Sequence, residues 1–429
     1  MNILLIGSGG REHALAKGLK QSASCDLLCA LPGNPGILTL AQKVTDCSLN
    51  DPNTIISFCK RNAIELVVIG PEAPLVKGLA DMLTDKGISV FGPSALAARI
   101  ESSKSFSKEL MISHNIPTAR YTTFTGDQAQ LAHDYIEQSE IPIVIKADGL
   151  AAGKGVIVAE SKQEAHDAIN DIFSGLFADA GSKIVIEEFL QGEEASVFAI
   201  CDGENFVMLA PAQDHKRIYD NDVGKNTGGM GAYAPAPIVT DEVLQKVADT
   251  IFTPTLKAMK EAGYPFIGCL FCGLMIENGN PSVIEFNCRF GDPETQAVLT
   301  VFEGDLAALL YSAANGSIQA EHMKQRSKGF ACNIVLASKG YPDHYETGYK
   351  IYGTENINPN QQITIYHAGT SQDVDNNIIT SGGRVLGVCA HAETLSEAIQ
   401  KAYKSIEHIS FQGMYFRKDI GKKGLAVTN

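Results

Sequence analysis

The sequence predicts a three-domain protein: an α/β N-terminal domain built on a parallel sheet, an α+β middle domain, and a small, mostly β C-terminal domain. Its 429 residues suffice for about three domains of ordinary size. Short apolar runs alternate with helical stretches over the first hundred residues, whereas short strands and glycine turns prevail after Gly329. We therefore place the domains at residues 1–103, 104–327 and 328–429, with a glycine-rich lid subdomain at about 120–192.

Four apolar runs, each followed by turn-forming residues, predict the N-terminal domain. These runs cover residues 2–6, 27–30, 65–69 and 88–91. Strands that alternate with helices pair in parallel through right-handed crossovers, so this alternation predicts an α/β domain.

A glycine-rich turn, Gly7-Ser8-Gly9-Gly10, joins the first strand to a helix predicted over residues 11–20. Backbone N–H groups at a helix start bind anions, most often phosphate, and Arg11 is available as a charge partner. The alternative is that the glycines only permit a tight turn. A dinucleotide site is disfavoured, because Glu12 stands where its fingerprint requires glycine and the second strand has no acidic residue at its tip.

The middle domain begins with two predicted strands, residues 141–147 and 156–160, which flank a second glycine-rich loop. The loop is no P-loop, because its spacing differs and Gly155 stands where Ser or Thr would bind the metal. A glycine-rich hairpin that carries Lys154 can still cover phosphates, with Lys146 at the end of the preceding strand as a second cation. The alternative is a flexible surface hairpin with solvated lysines.

A later hairpin, predicted from residues 266–276 and 281–286 across an Asn-Gly turn, presents three polar side chains. Glu285, Asn287 and Arg289 share one face of a strand, because side chains at i and i+2 point the same way. Residues 284, 286 and 288 should then face the core. A carboxylate and an amide oxygen form a hard, partial ligand set that suits Mg²⁺ or Mn²⁺. The alternative is a half-exposed strand with a polar face.

Composition and charge exclude several classes of protein. The chain has 35 Lys and Arg against 49 Asp and Glu, and this net charge of −14 argues against non-specific nucleic-acid binding. The apolar run at residues 266–276 is too short to span a bilayer, and the N-terminus lacks the basic region of a signal peptide. We expect a cytoplasmic protein with ten reduced cysteines, no membrane contact and no obligate protein partner.

Several motifs occur in a fixed order between residues 7 and 294. In the middle domain they are Lys146 with Asp148-Gly149 and Gly153-Lys154-Gly155, then Glu187-Glu188-Phe189-Leu190, then Glu285, Asn287 and Arg289. The others are Gly7–Ala14, Pro32–Gly36, Gly70–Leu75, Asp222–Gly231 and Arg289–Glu294. Together they resemble the ATP-grasp carboxylate–amine ligases, and among these the glycinamide ribonucleotide synthetase (phosphoribosylamine–glycine ligase) family. The resemblance covers essentially the whole chain.

The resemblance implies a fold and a nucleotide site. ATP lies between two antiparallel sheets of an ATP-grasp domain, with Mg²⁺ or Mn²⁺ on Glu285 and Asn287. The expected ATP-contacting residues are Lys104, Lys146, Gly153, Lys154, Gly155, Glu187, Glu188, Leu190 and Glu194. Glu187, Glu188 and Leu190 belong to a hinge that reads adenine partly through backbone groups, and Glu194 or the adjacent Glu193 contacts the ribose. Gly273 stands at about the position where many members carry an acidic residue, so a ligand of a second metal ion is missing there.

The implied reaction ligates glycine to 5-phosphoribosylamine through a glycyl phosphate, and it yields glycinamide ribonucleotide, ADP and phosphate. The expected catalytic residues are Arg289, Lys146 and Asp214. Arg289 contacts glycine's carboxylate or the transferring phosphate, and Asp214 lies at glycine's ammonium. The expected sugar-phosphate residues are Gly9, Gly10, Arg11 and Glu72.

Three alternatives remain open to test. One is another ATP-grasp ligase of nucleotide metabolism that uses formate or bicarbonate. An NAD-dependent oxidoreductase is disfavoured by the failed fingerprint, and a non-catalytic nucleotide sensor is disfavoured by the intact set of Lys146, Glu285, Asn287 and Arg289.

Overall fold

The computed structural model describes residues 1–149, 155–176, 182–357 and 362–428. Its N-terminal region contains a five-stranded parallel sheet. Its elements are β1 Asn2–Gly7, α1 Gly10–Gln21, β2 Leu27–Pro32, β3 Gln42–Lys43, α2 Pro52–Arg61, β4 Leu66–Ile69, α3 Glu72–Val76, α4 Leu79–Thr84, β5 Ser89–Phe91, α5 Arg99–Ser102 and α6 Lys104–Ser113. The strand order is β3-β2-β1-β4-β5. The four predicted strands are present and parallel, and the apolar side chains of β1 and β4 are buried on both faces.

The next part of the chain forms a four-stranded antiparallel sheet with two helices. Its elements are β6 Tyr121–Thr125, α7 Ala129–Gln138, β7 Ile143–Ala147, β8 Val156–Ala159, α8 Lys162–Asp171 and β9 Lys183–Glu188. The strand order is β6-β9-β7-β8, and a small apolar core of its own lies between this sheet and the helices. The predicted pairing of the two strands around the second glycine loop is confirmed, with Ile143 opposite Ala159.

A second antiparallel sheet follows, with the order β11-β10-β16-β17. The elements up to residue 301 are β10 Glu193–Asp202, β11 Phe206–Met208, β12 Gln213–Asp214, β13 Arg217–Tyr219, β14 Val223–Asn226, β15 Gly231–Ala234, α9 Asp241–Val247, α10 Thr253–Glu261, β16 Ile267–Glu277, β17 Asn280–Asn287 and α11 Glu294–Val301. The predicted hairpin is formed by β16 and β17, and its turn uses Asn278 and Gly279, both at positive φ.

The remaining elements contribute a further antiparallel sheet, two separate two-stranded pairs and several helices. They are β18 Glu303–Gly304, α12 Leu306–Ala314, β19 Met323–Gln325, β20 Phe330–Ser338, β21 Ile363–His367, β22 Thr370–Gln372, β23 Ile378–Thr380, β24 Arg384–Ala392, α13 Leu395–Ile406, β25 Met414–Tyr415 and α14 Lys422–Thr428. The main strand order is β12-β15-β20-β24-β21, and β25 pairs with β20. Two strands of the middle segment, β12 and β15, therefore complete the C-terminal sheet. Sequence periodicity did not indicate this exchange.

Candidate functional site: a lysine- and carboxylate-lined cleft between two sheets

One face of the second sheet carries most of the polar side chains of the site. Glu285 lies opposite Gly273, and Asn287 lies opposite Phe271. Since residues 271, 273 and 275 alternate to the same side of β16, Glu285 and Asn287 share the face of Met275. A bulge at Ile284 interrupts the pairing. The expectation that residue 284 faces the core is therefore wrong: Ile284 is half-buried, and its carbonyl accepts a hydrogen bond from Lys146 Nζ at 3.1 Å.

The same register separates Glu193 from Glu194. Glu194 lies opposite Met275 and Glu193 lies opposite Ile276. Glu194 is thus on the face of Glu285, and Glu193 is on the other face. This geometry favours Glu194 for the predicted ribose contact.

Glu285 and Asn287 have oxygen atoms available for a ligand. No described residue donates a hydrogen bond to the Glu285 carboxylate, and within the described chain the buried amide nitrogen of Asn287 has no partner. Desolvation alone would raise the pKa of Glu285, but the ammonium groups of Lys216, Lys146 and Lys104 hold it below its ordinary value. An ionised carboxylate beside an unengaged amide fits a hard divalent cation.

Gly273 leaves space for Glu285. A Cβ atom at this position would lie 3.3 Å from Glu285 Cγ, so a larger side chain would crowd the carboxylate. Among the residues that the structure describes, no group of three or more His, Cys, Asp and Glu side chains could hold a metal ion. A cation here would thus depend on Glu285, Asn287 and oxygen atoms from outside the protein.

Lys146 is a buried residue of β7, in the β6-β9-β7-β8 sheet, and its side chain extends to the face of the second sheet that carries Glu285. Its Nζ lies 2.9 Å from Glu187 Oε1, and Lys108 Nζ lies 2.9 Å from Glu187 Oε2. Burial lowers the pKa of Lys108 to about 8, against the raising effect of Glu187. Because both carboxylate oxygens face lysines, Glu187 has only its backbone groups for the predicted adenine contact. Sequence reasoning missed Lys108, which lies on α6 without a recognisable motif.

Lys104 closes the cleft beside the lid loop. Its Nζ donates to the Gly149 carbonyl at 2.9 Å, and burial lowers its pKa while Glu285 opposes this shift. Gly155 accepts a hydrogen bond from the Ala147 amide at 2.8 Å. The predicted phosphate contacts of Gly153 and Lys154 lie outside the described residues.

The hinge after β9 borders a cavity of about 140 Å³. Leu190 and Gln191 line it together with Met275 and Ser282, which share the face of Glu285. Glu188 points away from this cavity: its carboxylate binds the Arg120 Nε at 2.7 Å and the Arg120 amide at 2.8 Å. Leu190 thus lines a cavity on this face, whereas the Glu188 side chain is engaged elsewhere; the adenine contact stays a prediction.

Asp214 and Glu294 approach the cleft from the side of the C-terminal sheet. Desolvation raises the pKa of Asp214 and of Glu294, and the negative charge of Asp214 raises that of Glu294 further. Glu294 is almost fully buried and accepts a hydrogen bond from the Ser196 hydroxyl at 3.3 Å. Both carboxyl groups therefore retain protons more strongly than ordinary acids do.

Lys216 is a site residue that the sequence analysis did not identify. Its Nζ lies 2.6 Å from Glu194 Oε2. Burial lowers its pKa, but Glu194, Asp214 and Glu285 together raise it well above the ordinary value. The only sequence signal was its position two residues after Asp214.

Arg289, Glu72 and Arg11 meet where the N-terminal sheet adjoins the middle domain. Arg289 donates to Glu72 at 3.2 Å and to Glu101 at 3.0 Å, and Arg11 lies 4.0 Å from Glu72. The predicted amine-substrate residues Arg11 and Glu72 thus lie beside the predicted glycine residue Arg289. Arg289 lies two residues beyond the end of β17 and pairs with Glu72 and Glu101 of the N-terminal region, so the predicted strand face of Glu285 and Asn287 does not extend to it.

In the glycine loop before α1, one of the N–H groups expected to bind an anion is engaged by a neighbouring acid. Glu12 folds back so that its carboxylate accepts the Gly9 amide and the Arg11 Nε, each at 2.6 Å. A Cβ atom at Gly70 would lie 2.2 Å from Glu12 Oε1, so the buried acid fills the space beside the loop. The Gly9 N–H is thus bonded within the chain. Gly10 lies farther along, beside Gln296.

The ten cysteines are free, and Cys269 and Cys272 are buried as core residues. No helix in the described ranges is long and apolar enough to cross a membrane.

Two antiparallel sheets that enclose buried lysines and a carboxylate–amide pair define an ATP-grasp enzyme, the class of ADP-forming ligases. Three family models match the chain: the phosphoribosylglycinamide synthetase N domain at residues 1–101, its ATP-grasp (A) domain at 102–295 and its C domain at 331–423. The chain belongs to the phosphoribosylglycinamide synthetase family.

Relatives support this assignment over the full length. A chloroplastic phosphoribosylamine–glycine ligase of Arabidopsis thaliana is 49% identical over 97% of this chain and 79% of its own length. The phosphoribosylamine–glycine ligase of Rhizobium meliloti is 46% identical over 99% of both chains. The crystal structure of phosphoribosylamine–glycine ligase from Thermotoga maritima matches with a TM-score of 0.84 and 33% identity, and covers 98% of this chain and 100% of that one.

Proposed function

We propose that the protein joins glycine to 5-phosphoribosylamine with the cleavage of ATP to ADP and phosphate. The observation that carries this proposal is the shared face of Glu285 and Asn287, toward which Lys104, Lys146 and Lys216 converge. The names of the full-length relatives support the choice of substrates. The reaction belongs to purine biosynthesis.

The first step activates glycine. A carboxylate oxygen of glycine attacks the γ-phosphorus of ATP, and the bond to the β,γ-bridging oxygen breaks, so that ADP leaves with the electron pair. Charge accumulates on the phosphoryl oxygens, and preorganised cations reduce this barrier most. We assign Lys146 and Lys104 to these oxygens, because the charges of both lysines act on Glu285 and Lys104 also donates to the Gly149 carbonyl of the second glycine loop.

The second step forms the amide. The amine nitrogen of phosphoribosylamine attacks the acyl carbon of glycyl phosphate, the C–O bond to phosphate breaks, and the nitrogen loses one proton. Arg289 orients the glycine carboxylate, and Asp214 holds the glycine ammonium. Arg11 and Glu72, which neighbour Arg289, hold the sugar phosphate and its hydroxyl groups. A closed cleft excludes water, which would otherwise hydrolyse the acyl phosphate.

Glu285 and Asn287 would hold the divalent cation, Mg²⁺ or Mn²⁺. When bound, this cation would neutralise charge on the phosphate oxygens of ATP. Lys216, whose ammonium group interacts with Glu194 and Asp214, would add a positive charge from the protein near the same phosphate oxygens. We further propose a cytoplasmic enzyme that acts as a single kind of chain, since its cysteines are free and a single-chain relative matches end to end.

Phosphate release tests the function. We expect release only when ATP, glycine and phosphoribosylamine are all present with Mg²⁺, and glycinamide ribonucleotide should appear in equal amount. Release that persists without glycine but requires formate or bicarbonate would instead indicate the alternative ligase. ATP binding without any turnover would indicate a nucleotide sensor.

A further inference from the structure

The end of the C-terminal domain holds the segment that follows Asp214. Arg417, which is completely buried, donates from Nη1 to the Arg217 carbonyl at 3.0 Å and to Asp222 at 2.8 Å. Its Nε and Nη2 both bind Asp419, each at 2.8 Å. The guanidinium group is thus shared between the C-terminal domain and the β13–β14 hairpin.

Further bonds run along the same junction. The Asn221 amide donates to Asp419 at 2.8 Å, and the Lys418 amide donates to Asp220 at 2.8 Å. The Tyr415 hydroxyl donates to the Ile218 carbonyl at 3.0 Å. Residues 415–419 and 217–222 are therefore bound together by backbone as well as side-chain groups.

The strand that carries Asp214 is short, and the chain after it is held by backbone bonds of His215 to Met230 and Gly231. β12 contains two residues, and only Gln213 and Asp214 pair with β15. The chain then leaves the sheet at Lys216, whose side chain must reach across the cleft to Glu194. The Lys216 carbonyl accepts hydrogen bonds from the Thr227 amide and hydroxyl, both at 2.8 Å, and the adjacent Arg217 carbonyl accepts the bond from Arg417.

We propose that Arg417 is a positioning residue of the ligase, which places Lys216 and Asp214 by fixing the Arg217 carbonyl and Asp222. This inference rests on the proposed function, in which Asp214 and Lys216 face glycine and the phosphates. It gives the C-terminal domain a specific part in the reaction. A planar guanidinium group is needed here, because the ammonium group of lysine cannot bind two carboxylates and a carbonyl in one plane.

The test compares Arg417→Lys and Asp222→Asn with Val388→Ala as the matched control. Val388 is buried in the C-terminal sheet between β20 and β21, so its truncation destabilises the same domain without touching the hairpin. Arg417→Lys retains a positive charge beside Asp222 and Asp419, so neither carboxylate is left without a nearby cation. KM for glycine, KM for phosphoribosylamine and kcat are measured well below the unfolding temperature.

We expect Arg417→Lys to raise KM for glycine about tenfold and to lower kcat, since small displacements of substrate-contacting groups are costly. Asp222→Asn should act in the same direction more weakly. KM for phosphoribosylamine should stay within about twofold, because that substrate is placed at the N-terminal domain. Val388→Ala should lower the unfolding temperature and leave both KM values unchanged. An unchanged KM for glycine in Arg417→Lys, or an equal rise in Val388→Ala, would overturn the proposal.

Hydrogen exchange separates this proposal from the proposed function. In Arg417→Lys the amides of His215, Thr227 and Met230, which are hydrogen-bonded within this segment, should exchange faster than in wild type. If wild type itself shows no turnover with glycine and phosphoribosylamine, the assigned substrates are wrong. Unchanged exchange at these amides would then still contradict the positioning role.

Discussion

Two lysine–carboxylate clusters flank Glu285, and they differ in charge balance. In the first cluster, on the lid side, one carboxylate, Glu187, lies between Lys108 and Lys146. In the second, on the side of the C-terminal sheet, Glu194, Asp214 and Glu294 surround Lys216. The first has a surplus of positive charge and the second a surplus of acid. The same residue types therefore give opposite local charge. Under the proposed function, the first cluster would take the anionic phosphate and the second the glycine ammonium.

Glu285 is influenced by lysines of both clusters, so its loss should have the largest effect. We expect Glu285→Ala to reduce metal-dependent ADP release at least about a hundredfold, because the site loses the carboxylate beside Asn287. Steady-state release of ADP at saturating Mg²⁺ measures this effect. Glu407→Ala, an exposed acid just past the end of α13, is the control and should retain wild-type turnover. Normal ADP release by Glu285→Ala would remove Glu285 from the metal site.

Loss of the carboxylate of the first cluster should lower the free energy of unfolding. Glu187→Gln leaves two buried lysines without a counter-charge, and removal of one partner from a buried ion pair costs about 3–5 kcal/mol. The free energy of unfolding, taken from urea denaturation (from the first transition if there is more than one), measures this loss. A loss below about 1 kcal/mol would show that the cleft is hydrated enough to screen both ammonium groups.

The acid-rich cluster should instead respond to pH. Burial raises the pKa of Glu294 to about 8 from an ordinary value of 4.5. The folded protein therefore binds more protons than the unfolded chain between these values, and the contribution of Glu294 to stability falls as pH rises through this window. We expect Glu294→Gln to lose stability less than wild type does between pH 5 and pH 8. Parallel urea midpoints of both proteins across that range would contradict the raised pKa.

The smallest effect is expected for an ion pair outside both clusters. Arg120 is 89% exposed and pairs with Glu188 beside the hinge. Solvent and salt screen such a pair, so Arg120→Ala should leave the urea midpoint unchanged and KM for ATP within about twofold. A larger change in KM for ATP would mean that Glu188 contacts the nucleotide after all. Glu188 would then belong to the nucleotide site and not to the surface.

Local pattern was sufficient for much of the fold. Alternating apolar runs predicted the parallel strands β1, β2, β4 and β5, and an Asn-Gly turn predicted the β16–β17 hairpin. β3 has only two residues, both exposed, and carries no apolar signal that could have predicted it. The exchange of β12 and β15 into the C-terminal sheet was missed for a related reason, since four or fewer residues carry little periodicity.

The candidate site was predictable to the same extent. Spacing by two residues placed Glu285 and Asn287 on one face, and ordered motifs indicated the family. Glu12, Lys108 and Lys216 were missed as site residues, because their roles depend on partners that come from other elements. Glu12 turns back onto its own glycine loop, and Lys216 meets Glu194 from a separate strand.

The sequence by itself determined the order of strands and helices, the shared side of Glu285 and Asn287, and the glycine loops, because all of these depend on residues near one another in the chain. Tertiary structure alone decided that Glu187 lies between two lysines, that the Ile284 bulge offers its carbonyl to Lys146, and that Arg417 holds the segment after Asp214. Such contacts join residues far apart in the chain. They depend on how sheets pack, which no local periodicity records.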